Sequence, residues 1–277
     1  MAISDLPLVF DPQQLQRLSG TPGLLIVDLC KFDTYARQHI PGAVHLDYAR
    51  IVAQDKPLQG LLPDSETVSA LLAALGIAPD IWVVAYDDEG GGNAGRLLWT
   101  LDSIGHQRHS LLDGGLIAWI NEGHAVDRRP TLPQAVAPYP VSFDPAPVAG
   151  RDYILQHLGD PGVCLLDARS RAEFTGEKKL ALRGGHIPGA IHYEWTDAMD
   201  QQNNFRLRPP AELRNRLDRL GVTPDKQIIT YCQTHHRSSF TYVVLRHLGY
   251  DKVKGYPGSW SDWGNRQDTP VEKLTRV

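Results

Sequence analysis

GVTPDKQIITYC, residues 221–232, repeats an earlier stretch, GIAPDIWVVAYD, residues 76–87. The two align without a gap at an offset of 145 and share the Gly, the Pro-Asp pair and the Tyr. Each starts where a helical pattern stops. ETVSALLAALG and AELRNRLDRLG carry i, i+3, i+4 apolar spacing, with Val68, Leu72 and Leu75 matching Leu213, Leu217 and Leu220. Both close on Gly, which readily takes the left-handed conformation at a helix C-terminus. Each stretch then runs into continuous apolar residues ending at Tyr86 or Tyr231. Such runs, separated by helices, read as strands of a parallel sheet covered on both faces.

Further matches flank this pair in the same order. LLIVDL (24–29) matches VCLLDA (163–168), with Asp28 facing Asp167. HIPGA occurs at 39–43 and again at 186–190, and GGLIAW (114–119) matches GSWSDW (258–263). Four matches in one order make a duplicated domain, with a period far too long for a solenoid. HSLLD (109–113) and KVKGY (252–256) supply one more strand to each half. The fold class is therefore α/β, twice: two tandem domains related by duplication, each a parallel sheet flanked by helices. The expected division is 1–129 and 148–277. The proline-rich stretch 130–147 between them is denied helix, favours extended structure and is expected to act as a linker.

Composition narrows the function. With 277 residues, 42% hydrophobic and 22% charged, the chain is an ordinary globular protein. Lys+Arg of 28 against Asp+Glu of 32 gives a net charge of -4, so no global positive field draws it to nucleic acid or a membrane surface. No window approaches the ~18 uninterrupted apolar residues of a spanning helix. MAISDLPLVF, at the start, lacks a basic segment and carries Asp5, which argues against a signal peptide. Three cysteines, Cys30, Cys164 and Cys232, do not make a disulfide framework, and reduced thiols in the cytoplasm are expected.

Ligands of parallel sheets sit beyond the carboxyl ends of the strands, so the loops after Tyr86 and Tyr231 matter most. After Tyr231 comes CQTHHRSS and then a helical stretch. Backbone N–H groups of a tight strand-to-helix turn, with the helix dipole, make an anion cradle. His235, His236 and Arg237 add positive character, and the histidines titrate near neutrality, so pH dependence is expected. A thiol at Cys232 should be held as thiolate, a strong nucleophile for sulfur or phosphorus. Cys30 and Cys164 fit ordinary buried cysteines instead. A zinc site from Cys232, His235 and His236 lacks a fourth ligand and a paired-ligand spacing.

The loop after Tyr86 reads DDEGGGNAGR, with Asp87 in place of the cysteine. Gly90, Gly92 and Gly95 spell G-x-G-x-x-G, and Asp113 falls where a ribose-binding acid is sought. Three acids at its start would repel a pyrophosphate, so this loop reads as the altered, silent copy of an anion cradle.

The duplicated frame, HIPGA in each half, the Asp-ended first strands, the GG/GS-x-x-x-W elements and the strand-terminal Cys232 resemble the rhodanese family over nearly the whole chain. The resemblance implies a two-domain bacterial sulfurtransferase with the loop CQTHHRS. Cys232 would take a sulfane sulfur from thiosulfate or a similar anionic donor. As a persulfide it would pass that sulfur to cyanide, a thiol or a sulfur-acceptor protein. It implies an inactive first domain, no cofactor, no metal and a monomer. Gln233, Thr234, His235, His236, Arg237 and Ser238 would bind substrate. The loop departs from CRKGVT of vertebrate-type tandem members and from CG-x-GVT of mercaptopyruvate sulfurtransferases. Pro188 stands where the vertebrate-type members place a substrate Arg. Arg183, three residues before His186 in an eight-residue insertion absent from the first half, is the candidate replacement. The alternatives are a mercaptopyruvate sulfurtransferase and Cys-dependent phosphatases, some of which share the fold, but the phosphatase loop is Cys-x5-Arg and this one is Cys-x4-Arg. Trp195, Trp260 and Trp263 read as core or interface aromatics, and Trp195 is also a candidate for the wall of the site. Arg206 and Arg208 begin a basic run, and Arg214, Arg216 and Arg219 read as its solvated helix face.

Overall fold

A computed structural model describes residues 6–273. Met1 to Asp5, used above in reading the start of the chain, lie outside the described residues. The chain forms two compact units. In the first, five parallel strands run in the order Val9–Phe10, His109–Leu112, Trp82–Tyr86, Leu24–Asp28, Val44–His45. In the second, four parallel strands run Val253–Gly255, Gln227–Tyr231, Val163–Asp167, Ile191–His192. Val148 adds a parallel bridge to Gly255, at the edge that Val9–Phe10 occupies in the first unit.

The registers coincide. Asp28 lies opposite Tyr86, and Asp167 opposite Tyr231. HIPGA proves to be a brace for that Tyr. Ile40 N–H donates to the Tyr86 hydroxyl at 3.1 Å, and Ile187 N–H to the Tyr231 hydroxyl at 3.2 Å. The histidines stack on Tyr35 and Phe174 and bond through Nδ1 to the carbonyl oxygens of those same residues. The residue before each of these two loops is thus fixed from the side by a fully buried contact.

The two helices read from periodicity are Ser65–Leu75, closed by Gly76 at φ 84°, and Pro210–Arg219. Leu213 and Leu217 are buried, but Leu220, counted above with them, lies just past the helix and is 40% exposed. Trp260 and Trp263 are buried in the second core. Arg206, which begins the basic run, is paired. Its guanidinium grips Glu122 at 2.6 Å and lies 3.4 Å from Asp113.

The division differs from a single cut at 130–147. The first unit comprises the described residues up to Ile51, Pro63–Asp144 and Met199–Leu207, and the second takes Val52–Leu62, Pro145–Ala198 and the described residues from Arg208. The stretch expected as a linker is extended but pinned. Thr131 N–H donates to the Tyr35 hydroxyl, Val136 N–H to Ala73 O, and Asp144 N–H to Ser103 O. These bonds commit its proline-free positions to the first unit. The antiparallel pair Ala53–Asp55 and Leu58–Leu61 belongs to the second unit, and the pair Met199–Asp200 and Arg206–Leu207 to the first. Among the described residues no helix is long and apolar enough to cross a membrane.

Candidate active site

Cys232 is the first residue after the strand Gln227–Tyr231, and five residues later the helix Arg237–His247 begins. The loop between is held from below by the segment around Ser259. Trp260 N–H donates to Cys232 O at 3.0 Å, and Ser261 N–H to Gln233 O at 2.9 Å. Ser259 Oγ accepts the N–H groups of Cys232 (3.2 Å) and His235 (3.1 Å) and donates to Tyr256 O (2.7 Å). Ser259 and His235 both take positive φ, 47° and 53°, a conformation costly for non-glycine residues and sustained here by those bonds.

Cys232 has no solvent exposure. Burial alone would push its thiol up. The Arg237 charge, the Ser238 hydroxyl and N–H, and the Thr234 N–H outweigh burial, and the pKa is lowered. With its proton directed to the thiolate, the Ser238 hydroxyl accepts from His235 Nδ1 at 2.7 Å. His235 is fully buried, and its contact with Ser238 Oγ places it beneath the loop. The other thiols behave oppositely. Burial pushes Cys164 up to about 11, and burial with Asp28 and Asp88 raises Cys30.

Arg237 does not present an open fork. Its Nη1 and Nη2 bond Glu173 Oε2 and Oε1 at 2.7 and 2.9 Å. Glu173 was not anticipated. It closes the capping box of the helix Arg171–Thr175 with Ser170, and S-x-x-E was its only trace in the sequence. Behind it Arg169 clamps Asp167 at 2.6 Å and lies 4.4 Å over the Trp260 ring. The Ser259 support of the loop was also missed, since GSWSDW read only as frame.

The remaining candidates divide. His236 is half-buried beside Trp195, ring centroids 6.0 Å apart, which puts Trp195 at the site. Thr234 supplies its N–H inward, and its carbonyl meets Gly60 so closely that a Cβ there would sit 2.0 Å from the oxygen. Gln233 turns outward to Leu180 O at 3.1 Å. Arg183 is not brought to the loop: Nη1 and Nη2 bond Thr269 O and Trp263 O at 2.7 and 2.8 Å. Among the described residues no group of three His, Cys, Asp or Glu is placed to hold a metal ion.

The first unit has the same loop length and a different occupant. Asp87 Oδ1 accepts from the N–H groups of Gly91 (2.8 Å) and Glu89 (3.1 Å), and Oδ2 from Ala94 (3.0 Å). The cradle is filled by its own carboxylate. Gly115, in the place of Ser259, offers no hydroxyl, and a Cβ there would lie 2.2 Å from Asp87 O.

The rhodanese-like domain family matches residues 11–122 and again 151–266. The chain is 48% identical over 269 residues to the thiosulfate sulfurtransferases of Azotobacter vinelandii and Pseudomonas aeruginosa, covering 97% of this chain and 98% of each relative. The solved structure of an anaerobic ergothioneine biosynthesis enzyme from Chlorobium limicola superposes with a TM-score of 0.87 at 20% identity, over 97% of this chain and 71% of that one. That similarity speaks to fold alone. Matched twice by the domain family and aligned almost end to end with those relatives, the chain belongs to the rhodanese family.

Proposed function

We propose that this protein is a thiosulfate sulfurtransferase working through a persulfide on Cys232. One observation carries the proposal: a buried thiol with a lowered pKa, ringed by inward N–H groups and a fixed guanidinium. The Cys232 thiolate attacks the outer sulfur of thiosulfate. The donor's S–S bond breaks, sulfite leaves with the bonding pair, and the cysteine holds the sulfane sulfur. A thiophilic acceptor such as cyanide then attacks that sulfur, thiocyanate leaves, and the thiolate returns. Sulfur is carried without outside electrons, so the cycle needs no cofactor.

Inward N–H groups of Thr234 and Ser238 suit the negative charge of thiolate and persulfide alike. The Cys-x4-Arg loop and the engagement of Arg237 by Glu173 leave less for a phosphate than a Cys-x5-Arg ring with a free Arg. Asp87 in its own cradle makes the first unit a silent partner. The donor is anionic, and the local field of the loop, not the net charge of -4, captures it. The test is a side-by-side assay of thiosulfate, mercaptopyruvate and an aryl phosphate. Thiocyanate from thiosulfate is expected to dominate. Phosphate release without thiocyanate would overturn the assignment, and a preference for mercaptopyruvate would reassign the donor.

A further inference from the structure

The second unit carries a loop that the first does not. Ten residues lie between Asp28 and His39, and eighteen between Asp167 and His186. The extra residues, 177–184, sit only in the copy that keeps the thiol. The insertion is built rather than loose. Lys178 N–H donates to Ala172 O (2.8 Å), Leu182 N–H to Asn265 Oδ1 (2.9 Å) and Arg183 N–H to Gly264 O (2.9 Å). The Arg183 guanidinium ties it further to Thr269 O and Trp263 O. At its neck a Cβ on Gly184 would lie 2.9 Å from Gly176 O.

Arg183 and Ala181 face the second core, while the side chains of 177–180 and 182 lie at the surface. With the loop's polar groups bonded inward, Leu180 is 48% and Leu182 71% exposed. Lys178 and Lys179 are exposed beside them. Single exposed leucines are ordinary. Two on a pinned loop are less so when its Leu180 carbonyl is bonded to Gln233, the residue next to the nucleophile. A fixed loop presents such side chains with little ordering cost on binding. Glu177 is exposed in the same loop, but Lys178, Lys179 and Arg183 leave the loop positive on a protein of net charge -4, and such a local charge favours an acidic partner.

We infer that residues 177–184 form a docking rim for an acidic sulfur-acceptor protein, with Lys178 and Lys179 steering it and Leu180 and Leu182 seating it beside Cys232. This rests on the persulfide cycle above. In the step served, the acceptor's cysteine thiolate attacks the outer sulfur of the Cys232 persulfide. The S–S bond to Cys232 breaks, Cys232 leaves as thiolate, and the acceptor keeps the sulfane sulfur as its own persulfide. Arg183 anchors the rim.

The test uses the whole chain loaded from thiosulfate and two synthetic peptides of equal length. Each holds one Cys and one Leu, flanked by Glu in one and by Lys in the other. Peptide persulfide is followed by mass spectrometry, and rates are compared per thiolate. In the parent, the acidic peptide should react at least about fivefold faster at low salt, and added salt should shrink the gap. Lys178→Glu with Lys179→Glu should reverse the preference, and Leu180→Ser with Leu182→Ser should slow the acidic peptide about threefold. Thiocyanate formation should stay within about twofold throughout, since cyanide needs no docking. Equal peptide rates in the parent, or a ratio unmoved by charge reversal, would overturn the proposal. So would variants that lose peptide and cyanide transfer in equal measure. A parent that forms no thiocyanate fails the sulfurtransferase assignment instead.

Discussion

Arg237 and Glu173 face each other through two parallel bonds, Nη1 2.7 Å from Oε2 and Nη2 2.9 Å from Oε1. The cation beside Cys232 is therefore oriented by an acid from a helix that begins after the neighbouring strand, Val163–Asp167. Bidentate pairing fixes direction as well as distance. Burial would raise the Glu173 carboxyl, but Arg237 and Ser170 more than offset it and hold it at about 2.

A depressed pKa in the folded state gives stability that is complete above the ordinary carboxylate value, ~4.3, and disappears as pH falls toward the folded value. Glu173→Gln should therefore be less stable than the parent at neutral pH by on the order of 3 kcal/mol. The deficit should shrink as pH drops from about 4 to about 2. Denaturant unfolding at both ends of that window checks it. An unchanged deficit at the acid end would mean that packing, not charge, is lost.

Arg237 lowers the Cys232 pKa, so sulfur uptake in the parent should hold its rate below the pH at which an ordinary thiol, pKa ~8.5, protonates. Arg237→Ala should move that fall to higher pH. Because Glu173 takes both ends of the Arg237 fork, Arg237→Ala should change the KM for thiosulfate less than it moves the pH profile. Arg237→Lys should restore part of the pH profile but not the two-point grip on Glu173. Rate profiles whose midpoint is the same in all three proteins would remove Arg237 from thiolate stabilisation.

Ser259 Oγ is the shared acceptor of two buried N–H groups. Ser259→Ala orphans both at about 1–3 kcal/mol each, and it keeps the unfavourable positive φ. Ser259→Gly loses the same bonds but relaxes the backbone, so it should be the more stable of the two. Thermal melting decides between them. An alanine variant as stable as the parent would mean that water or another group takes over the Ser259 role.

Asp87→Ala empties the first cradle and leaves the N–H groups of Gly91 and Ala94 without their acceptor. A stability loss on the order of 3 kcal/mol is expected, with thiocyanate production at low temperature within about twofold of the parent. Sulfur transfer abolished in Asp87→Ala but retained in Cys232→Ser would place the chemistry in the wrong unit.

The central strands were legible because each is a continuous apolar run long enough to be buried on both faces. The edge strands Val44–His45 and Ile191–His192 have two residues each, too few to show a period. The placement of Cys232 just past a strand, on a loop that leads into a helix, was legible from the sequence pattern. Glu173 was not, because its partner lies 64 residues away and a local motif explained it already. Arg183 illustrates the reverse error. A cation near the site suggested substrate, whereas the carbonyls of Trp263 and Thr269 claim it. The pairs Ala53–Asp55 with Leu58–Leu61, and Met199–Asp200 with Arg206–Leu207, join units away from their own halves, and no local pattern encodes that.

The most direct measurement is the intact mass of the protein after thiosulfate and then cyanide. The parent should gain one sulfur atom, lose it to cyanide, and release thiocyanate in equal amount. Cys30→Ala and Cys164→Ala should do the same, while Cys232→Ala should neither take up sulfur nor form thiocyanate. Sulfur uptake or thiocyanate formation surviving in Cys232→Ala would contradict the account.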